Sequence, residues 1–411
     1  MDQFDGLLGG KAVIASGLRA YSMTSAGATV EIGTLVGTDE ARFAASQSDL
    51  VMTAGGVANV VTASLTAISF PGATGNIIDC AEIGQIHLFI EEGSGRFWYS
   101  EIADPTDVPA NNFATAESEP DGLLAVRVIG RNIYLFGTRT IELWQTTGSV
   151  AIPFRPTGDA TVKYGLLARG AIAEADSGLF MVGRDQDGNV SVYRVQGVQP
   201  SRISTYPIDR LIGEVAADDR VDIRLSAHGW EGHSFIGLHL PGVGDYFYDV
   251  SNGTWHRRKE LSSARYLVQN FLAAFGEKFG GDSLDITTGA IYRLDLDVYT
   301  HNSNTVRRVA TSIIPIEDNR PEIKNLTVEM QGGVGLVTGQ GSTPLVMMKY
   351  ALDGRTFGNE QTASFGVLGA YGRRAIFYMG RMTPPQVVIE IAVTDPVNAT
   401  VTGLVINRDI Q

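Results

Sequence analysis

The chain has 411 residues, 44% of them hydrophobic and 19% charged, with 48 glycines. That balance excludes a disordered chain and is enough for two or three domains, or a large propeller with a companion domain. A formal net charge of −13 argues against a dedicated DNA clamp, and a single cysteine excludes an intramolecular disulfide and a multi-thiolate zinc site.

The N-terminal MDQFDGLLGGKAV lacks a basic region followed by an apolar core, so it does not read as a signal peptide. No apolar run reaches the roughly 18 residues of a membrane-spanning helix. Strand-like runs separated by glycine turns then recur over residues 12–300. They include residues 12–15, 29–32, 86–90, 125–129, 190–195, 234–240, 246–250 and 291–296. Many alternate with period two, the mark of half-buried strands. Cys80 reads as a small buried hydrophobe, and cytoplasmic synthesis fits a chain with one thiol.

Tyr21, Tyr99, Tyr134, Tyr193, Tyr248 and Tyr292 anchor one repeated theme, an aromatic strand near a glycine turn. Their spacings are 78, 35, 59, 55 and 44 residues. With one weak unit hidden around residues 57–61, the units average about 45 residues, the length of a four-stranded propeller blade. Six or seven blades are expected. Helix is scarce. Residues 207–217 are the best candidate, with Ile208, Leu211, Ile212 and Val215 at helical spacing behind Pro207. Residues 266–279 fit either period, and Gly276 with Gly280-Gly281 predict turns there, hence strands. Two prolines and mixed charges predict a linker over residues 313–321. Strands resume at 323–329, 344–351, 374–378, 387–393 and 400–406, a β-sandwich or barrel pattern.

Several clusters invite a chemical reading. Glu117, Glu119 and Asp121 put three carboxylates in five positions, raw material for a glycosidase pair. The same stretch fits a blade-connecting turn in which Asp121 caps backbone N–H groups ahead of Gly122. Asp353-Gly354-Arg355-Thr356-Phe357 resembles a sialidase Asp-box, one residue short and without its Ser and Trp; even the intact box is a structural turn. Asp185-Gln186-Asp187-Gly188-Asn189 starts like a calcium loop, but its twelfth position is Gln196, so a hairpin turn is expected. The histidines are His87, His228, His233, His239, His256 and His301. His233 and His239 share strand parity but lie about 20 Å apart along one strand, too far for joint ligation. No G-x-S-x-G elbow supports a Ser/His/Asp hydrolase, and no phosphate-cradling glycine loop sits between strand and helix. No catalytic, cofactor-binding or metal-binding residue is assigned, and no cofactor is expected.

Residues 95–148 carry the densest pattern. Phe97-Trp98-Tyr99-Ser100 comes first, then Ala116-Glu117-Ser118-Glu119-Pro120-Asp121-Gly122, then Leu135-Phe136-Gly137 and Thr140-Ile141-Glu142-Leu143-Trp144. Pro153-Phe154, Tyr164-Gly165-Leu166-Leu167-Ala168-Arg169 and Val192-Tyr193-Arg194 follow, then Gly197 and Arg202-Ile203-Ser204-Thr205. Tyr248-Asp249, Thr254-Trp255-His256, Gly289-Ala290-Ile291-Tyr292-Arg293-Leu294-Asp295 and Thr394-Asp395-Pro396-Val397 complete the order. This order resembles the phage packaged-DNA stabilisation proteins, tail accessory or hub proteins of short-tailed phages, over about residues 95–411. Agreement is weaker from about residue 9.

Strand pattern and resemblance together predict an all-β chain. A β-propeller with N-terminal strands is expected over residues 1–312 and a β-sandwich-like domain over 313–411. The resemblance implies a virion tail protein below the portal and its adaptor, made in the host cytoplasm. Such a protein extends the DNA channel, helps retain packaged DNA and anchors fibres or tailspikes. It implies a homo-hexameric ring, contact with the adaptor or portal ring, passive contact with translocating DNA, no membrane partner and no enzyme activity. Acidic walls suit a conduit, because like charge repels phosphate. Two other readings are a propeller glycosidase acting on host surface polysaccharide through Glu117 and Asp121, and a carbohydrate-binding module in residues 313–411. Relatives usually carry several dozen residues ahead of the segment resembling Leu7-Leu8-Gly9-Gly10, whose role here is open.

Overall fold

Period-two strands joined by tight turns fold here into seven small antiparallel sheets, the first compact unit of a computed structural model. The structure describes residues 2–3, 8–37, 39–116, 119, 121–149, 153–282, 289–315, 323–372, 374–382 and 386–407. The first unit takes Met1–Lys259 and Ser263–Leu294; the second takes Glu260–Ser262 and Asp295–Gln411.

Sheet 1 holds Asp2–Gln3, Ala12–Ser16, Arg19–Met23 and Thr29–Thr34. Sheet 2 holds Arg42–Ala45, Leu50–Ala54, Val57–Val61 and Leu65–Ala67. Sheet 3 holds Ile77–Ile83, Ile86–Glu91, Arg96–Tyr99 and Phe113–Thr115. Sheet 4 holds Leu123–Ile129, Asn132–Gly137, Ile141–Thr146 and Phe154–Val162. Sheet 5 sets Gly165–Leu166 and Ile172–Ala175 against Gly178–Arg184, followed by Val190–Gln196 and Gln199–Arg202. Sheet 6 holds Arg224–Trp230, His233–Leu240, Gly244–Asp249 and Thr254–Arg258. Sheet 7 holds Val268–Ala274, Glu277–Asp282 and Ile291–Leu294.

These sheets are blades of a β-propeller, because each packs on both neighbours. In sheet 3, Leu88 and Ile90 enter the core shared with sheet 4, while Phe89 between them enters the core shared with sheet 2. In sheet 4, Ile133 and Leu135 face sheet 3, and Tyr134 and Phe136 face sheet 5. The expectation of half-buried strands therefore needs correcting here. The side chains alternate between two buried faces, not between core and water. Burying a side chain such as Phe89 contributes about 2–3 kcal/mol before entropy is charged. Ala12, Ile14 and Met23 of sheet 1 pack against Leu272 and Ala274 of sheet 7, which joins the first blade to the last.

The helix spans Tyr206–Glu214, starting one residue before the predicted 207–217 and ending three residues short of it, with Pro207 in its first turn and Ile208 and Ile212 buried. A short 3₁₀ turn, Ala217–Asp222, leads into sheet 6. Residues 266–279 form strands turning at Phe275-Gly276, as expected. Gly280-Gly281 is a different matter. Both lie within the strand Glu277–Asp282, not in a turn. A Cβ on Gly280 would sit 2.2 Å from Val268 Cγ1, so the glycine serves close packing of two strands.

The second unit is a β-sandwich. One sheet runs Arg308–Pro315, Gln386–Val393, Leu345–Ala351, Gln361–Ser364, and the other Ala375–Met382, Ile323–Met330, Val401–Ile406. Leu326, Val328, Val346, Met348, Phe377 and Ile389 meet in its core. The linker predicted over residues 313–321 is partly overturned. Residues 313–315 end an eight-residue strand paired along its length with Gln386–Val393, and the remainder lies outside the described residues. Pro315 is tolerated because this strand is an edge of its sheet. Arg308 anchors the strand by donating to the carbonyls of Val397 at 2.7 Å and Asp395 at 2.5 Å.

Candidate functional site

The carboxylate cluster at residues 117–121 separates into parts. Glu117 lies outside the described residues. Asp121 accepts hydrogen bonds from the backbone N–H groups of Arg139 at 2.7 Å and Thr140 at 3.0 Å, and from Thr140 Oγ1. It caps the turn between the second and third strands of sheet 4, 18 and 19 residues further along the chain. Asp121→Ala is expected to cost about 1 kcal/mol, as two backbone donors lose their acceptor. A lower urea midpoint would show it, and an unchanged midpoint would remove the capping role.

Asp185 and Asp353 are turn residues too. Asp185 Oδ1 accepts from Asp187 N and Asn189 N, at 3.0 and 2.8 Å, beside Gly188 at φ 86°. Asp353 Oδ1 accepts from Arg355 N at 2.8 Å and Thr356 N at 2.7 Å. Those donors hold its carboxyl down at about 2. Among the described residues no three His, Cys, Asp or Glu side chains form a group that could hold a metal ion. No helix in the described residues is long and apolar enough to cross a membrane.

The polar groups that matter most for the architecture are buried. Glu91 Oε1 accepts from Thr74 N and Gly75 N, both at 2.9 Å, and Glu91 Oε2 accepts from Trp98 Nε1 at 2.9 Å. Burial pushes its carboxyl up, but the bonds from Trp98, Thr74 and Gly75 together push it further down, below the usual range. Glu142 takes Trp144 Nε1 in the same way, at 3.0 Å. Two residues apart on one strand, they share a face. Asp79 ties sheet 3 to sheet 4 by accepting from Val126 N at 2.9 Å and Arg127 Nη1 at 2.6 Å. Arg169 of sheet 5's approach loop reaches Ile78 O at 3.0 Å and Asp39 Oδ2 at 2.7 Å.

Sheet 6 assembles a trio that sequence separates. The register pairs Arg224 with His239, which places Ser226 diagonally across from His239. His239 Nε2 lies 2.7 Å from Ser226 Oγ, and its Nδ1 lies 2.9 Å from Asp245 Oδ1. That is the order of a catalytic Ser-His-Asp relay. Its surroundings give it another job. Asp245 is fully buried and also accepts from Gln269 Nε2 at 3.0 Å and Tyr266 N at 2.5 Å. Ser226 sits mid-strand, in register with Gly237, without the sharp turn that presents a nucleophile beside free N–H donors. The trio joins three strands of sheet 6 to the first strand of sheet 7.

His228 and His256 stand beside a half-buried cation, Arg258. Arg258 lies over the rings of Phe247 at 4.2 Å and Phe235 at 4.8 Å, and its Nε donates to His256 Nε2 at 3.0 Å. Burial, then the Arg258 charge, hold His256 at about 4 and His228 at about 3. His233 pairs with Asp249 at 2.8 Å, and His301 with Glu260 at 2.9 Å. The inner strands of several sheets border a polar cavity of about 500 Å³, lined in part by Glu40, Arg42, Glu82, Arg127 and Ser226.

A family model described as the β-propeller of bacteriophage P22 Gp10 matches residues 10–299. A second, described as the β-sandwich of P22 Gp10, matches residues 307–409. The tail hub protein gp10 of Salmonella phage P22 is 22% identical over 172 residues, 41% of this chain and 36% of that protein. The match thus spans about a third of that relative's length. Similar solved structures include the WD40 β-propeller domain of Doa1, with TM-score 0.40 and 11% identity over 66% of this chain and 86% of that one. Another is BamB from Moraxella catarrhalis, with TM-score 0.38 and 10% identity over 68% of this chain and 81% of that one.

Proposed function

The chain belongs to the phage stabilisation family described by P22 Gp10, and from that membership we propose that it is a structural protein of a short phage tail. The observation that carries the proposal is the match of both modules in order, propeller then sandwich, across nearly the whole chain. In this reading the protein is a hub or nozzle piece below the portal and adaptor, extending the DNA path and anchoring fibres or spikes.

The architecture suits a mechanical part. Blades buried on both faces, stitched by Asp79, Glu91 and Asp245, deform little under load because packed interiors have low compressibility. A net charge of −13 disfavours adhesion of phosphate passing nearby. Asp121, one of the two carboxylates a glycosidase reading would use, is committed to capping a turn. Six copies in a closed ring would surround the DNA path.

The test is imaging of virions, with mass analysis of the purified chain. Six-fold density at the tail that accommodates this protein is the expected result. A stable monomer absent from virions would sink the reading.

A further inference from the structure

A cavity of about 620 Å³ lies among the first hairpin turns of sheets 5, 6 and 7. That is the size of a small-molecule site. Trp230, Phe271 and Phe279 give it half-buried aromatic walls. Glu174 and Glu231 bring carboxylates, and Lys278 brings a donor that bonds the Gly229 carbonyl and lies 5.1 Å from the Trp230 ring centroid.

Glu231 is the residue that needs explaining. It occupies the first central position of its turn in the left-handed region, at φ 46°. Sheets 3 and 4 put Gly84 and Gly130 at the corresponding position. A side chain there costs about 1–2 kcal/mol. Sheets 5 and 7 also place side chains there, each with a structural reason. Asp176 pairs with Arg194 at 2.7 Å, and Phe275 packs on Phe279. Glu231 makes no hydrogen bond or ion pair among the described residues, yet it lines the cavity.

Carboxylates beside aromatic rings suit either an organic cation or a sugar. Lys278 decides between them. It already places a positive charge at Trp230 and would repel a second one. Acceptors, a donor and flat apolar walls together match an uncharged ring that carries hydroxyl groups on its edge and C–H groups on its face. We propose that this cavity binds a neutral saccharide, stacked on Trp230 or Phe271 and held through its hydroxyls by Glu174, Glu231 and Lys278. The site stands independently of the tail reading, since a chain absent from virions could still bind sugar.

Saturation-transfer NMR and calorimetry on the full chain test it, with neutral hexose, deoxyhexose and N-acetylhexosamine oligosaccharides as probes. At least one should bind. Trp230→Ala and Glu231→Gln should each weaken it about tenfold, the loss expected for a stacking wall or a charged hydrogen bond. Trp230→Phe should keep most of the affinity. Circular dichroism confirms the fold of each variant, and Glu231→Gln, in an exposed turn, should leave it unchanged. The proposal is overturned if no probe binds, if binding ignores both substitutions, or if putrescine binds through the same residues more tightly than any sugar.

Discussion

Asp245→Ala is expected to destabilise the full chain by about 3–5 kcal/mol, the loss typical of breaking a buried charged network. The carboxylate is fully buried and accepts from His239 Nδ1, Gln269 Nε2 and Tyr266 N, with Arg265 Nε 3.5 Å away. Removing it strands donors from two sheets at once, and each buried orphan costs about 1–3 kcal/mol. Ser226→Ala should cost only about 1 kcal/mol, because one hydroxyl bond to His239 is lost. Asp245→Asn should fall between them, since an amide keeps one acceptor oxygen but turns a donor toward donors. Urea unfolding followed by tryptophan fluorescence measures all three, with Trp230 and Trp255 reporting from sheet 6 itself. If Ser226→Ala cost as much as Asp245→Ala, or if Asp245→Ala were nearly silent, the trio would not be a staple between sheets 6 and 7.

This trio also shows where reading the sequence stops. The spacings from Ser226 to His239 and from His239 to Asp245 are 13 and 6, which carry no helical or strand signature. Only the register of sheet 6 brings the three together. The hairpins themselves are legible, because aliphatic and aromatic runs bounded by glycine leave few other options. The repeat is legible in outline. Tyr21, Tyr99, Tyr248 and Tyr292 fall on the third strands of their sheets, and Tyr193 on the strand third in the hydrogen-bonded order of sheet 5. Tyr134 falls on a second strand, which explains the short spacing of 35 and the long one of 59 on either side of it, and the weak unit inferred at residues 57–61 is the third strand of sheet 2, Val57–Val61. Two glycine and proline signals mislead for one reason. Gly280 and Pro315 break local propensity, yet tertiary contacts set their conformation: a strand packed against Val268 in one case and an unpaired sheet edge in the other. The cavity beside Glu231 was out of reach of the sequence. Its walls come from three sheets, and a left-handed glutamate has no mark in a sequence.

Lowering the pH from 6.5 to about 4 is expected to remove about 3 kcal/mol of stability through His87 alone. His87 is fully buried, beside Phe89, and burial holds it at about 4 against a slight upward pull from Asp49 and the Ala44 carbonyl. In the unfolded chain it titrates near 6.5. Between these values the unfolded state binds a proton that the folded state refuses. Stability is therefore full above pH 6.5 and falls as pH drops, by about 1.4 kcal/mol for each unit of difference. His256 at about 4 and His228 at about 3 act in the same direction, with Arg258 facing both and Lys278 facing His228. They are partly exposed, so they add less than their full shifts. The depressed carboxylates work in a lower window. Glu91 and Asp353 contribute stability that is present above the usual carboxylate range and lost only as pH falls through their folded values. Urea midpoints at pH 7.5, 6.5, 5.5 and 4.5 should thus be flat across the first step and fall across the rest. His87→Phe should flatten that fall, because a neutral ring fills the same apolar site without a proton to take up. A wild-type profile that stays level down to pH 4.5, or a fall of equal depth in His87→Phe, would show that the buried imidazole does not govern the acid response.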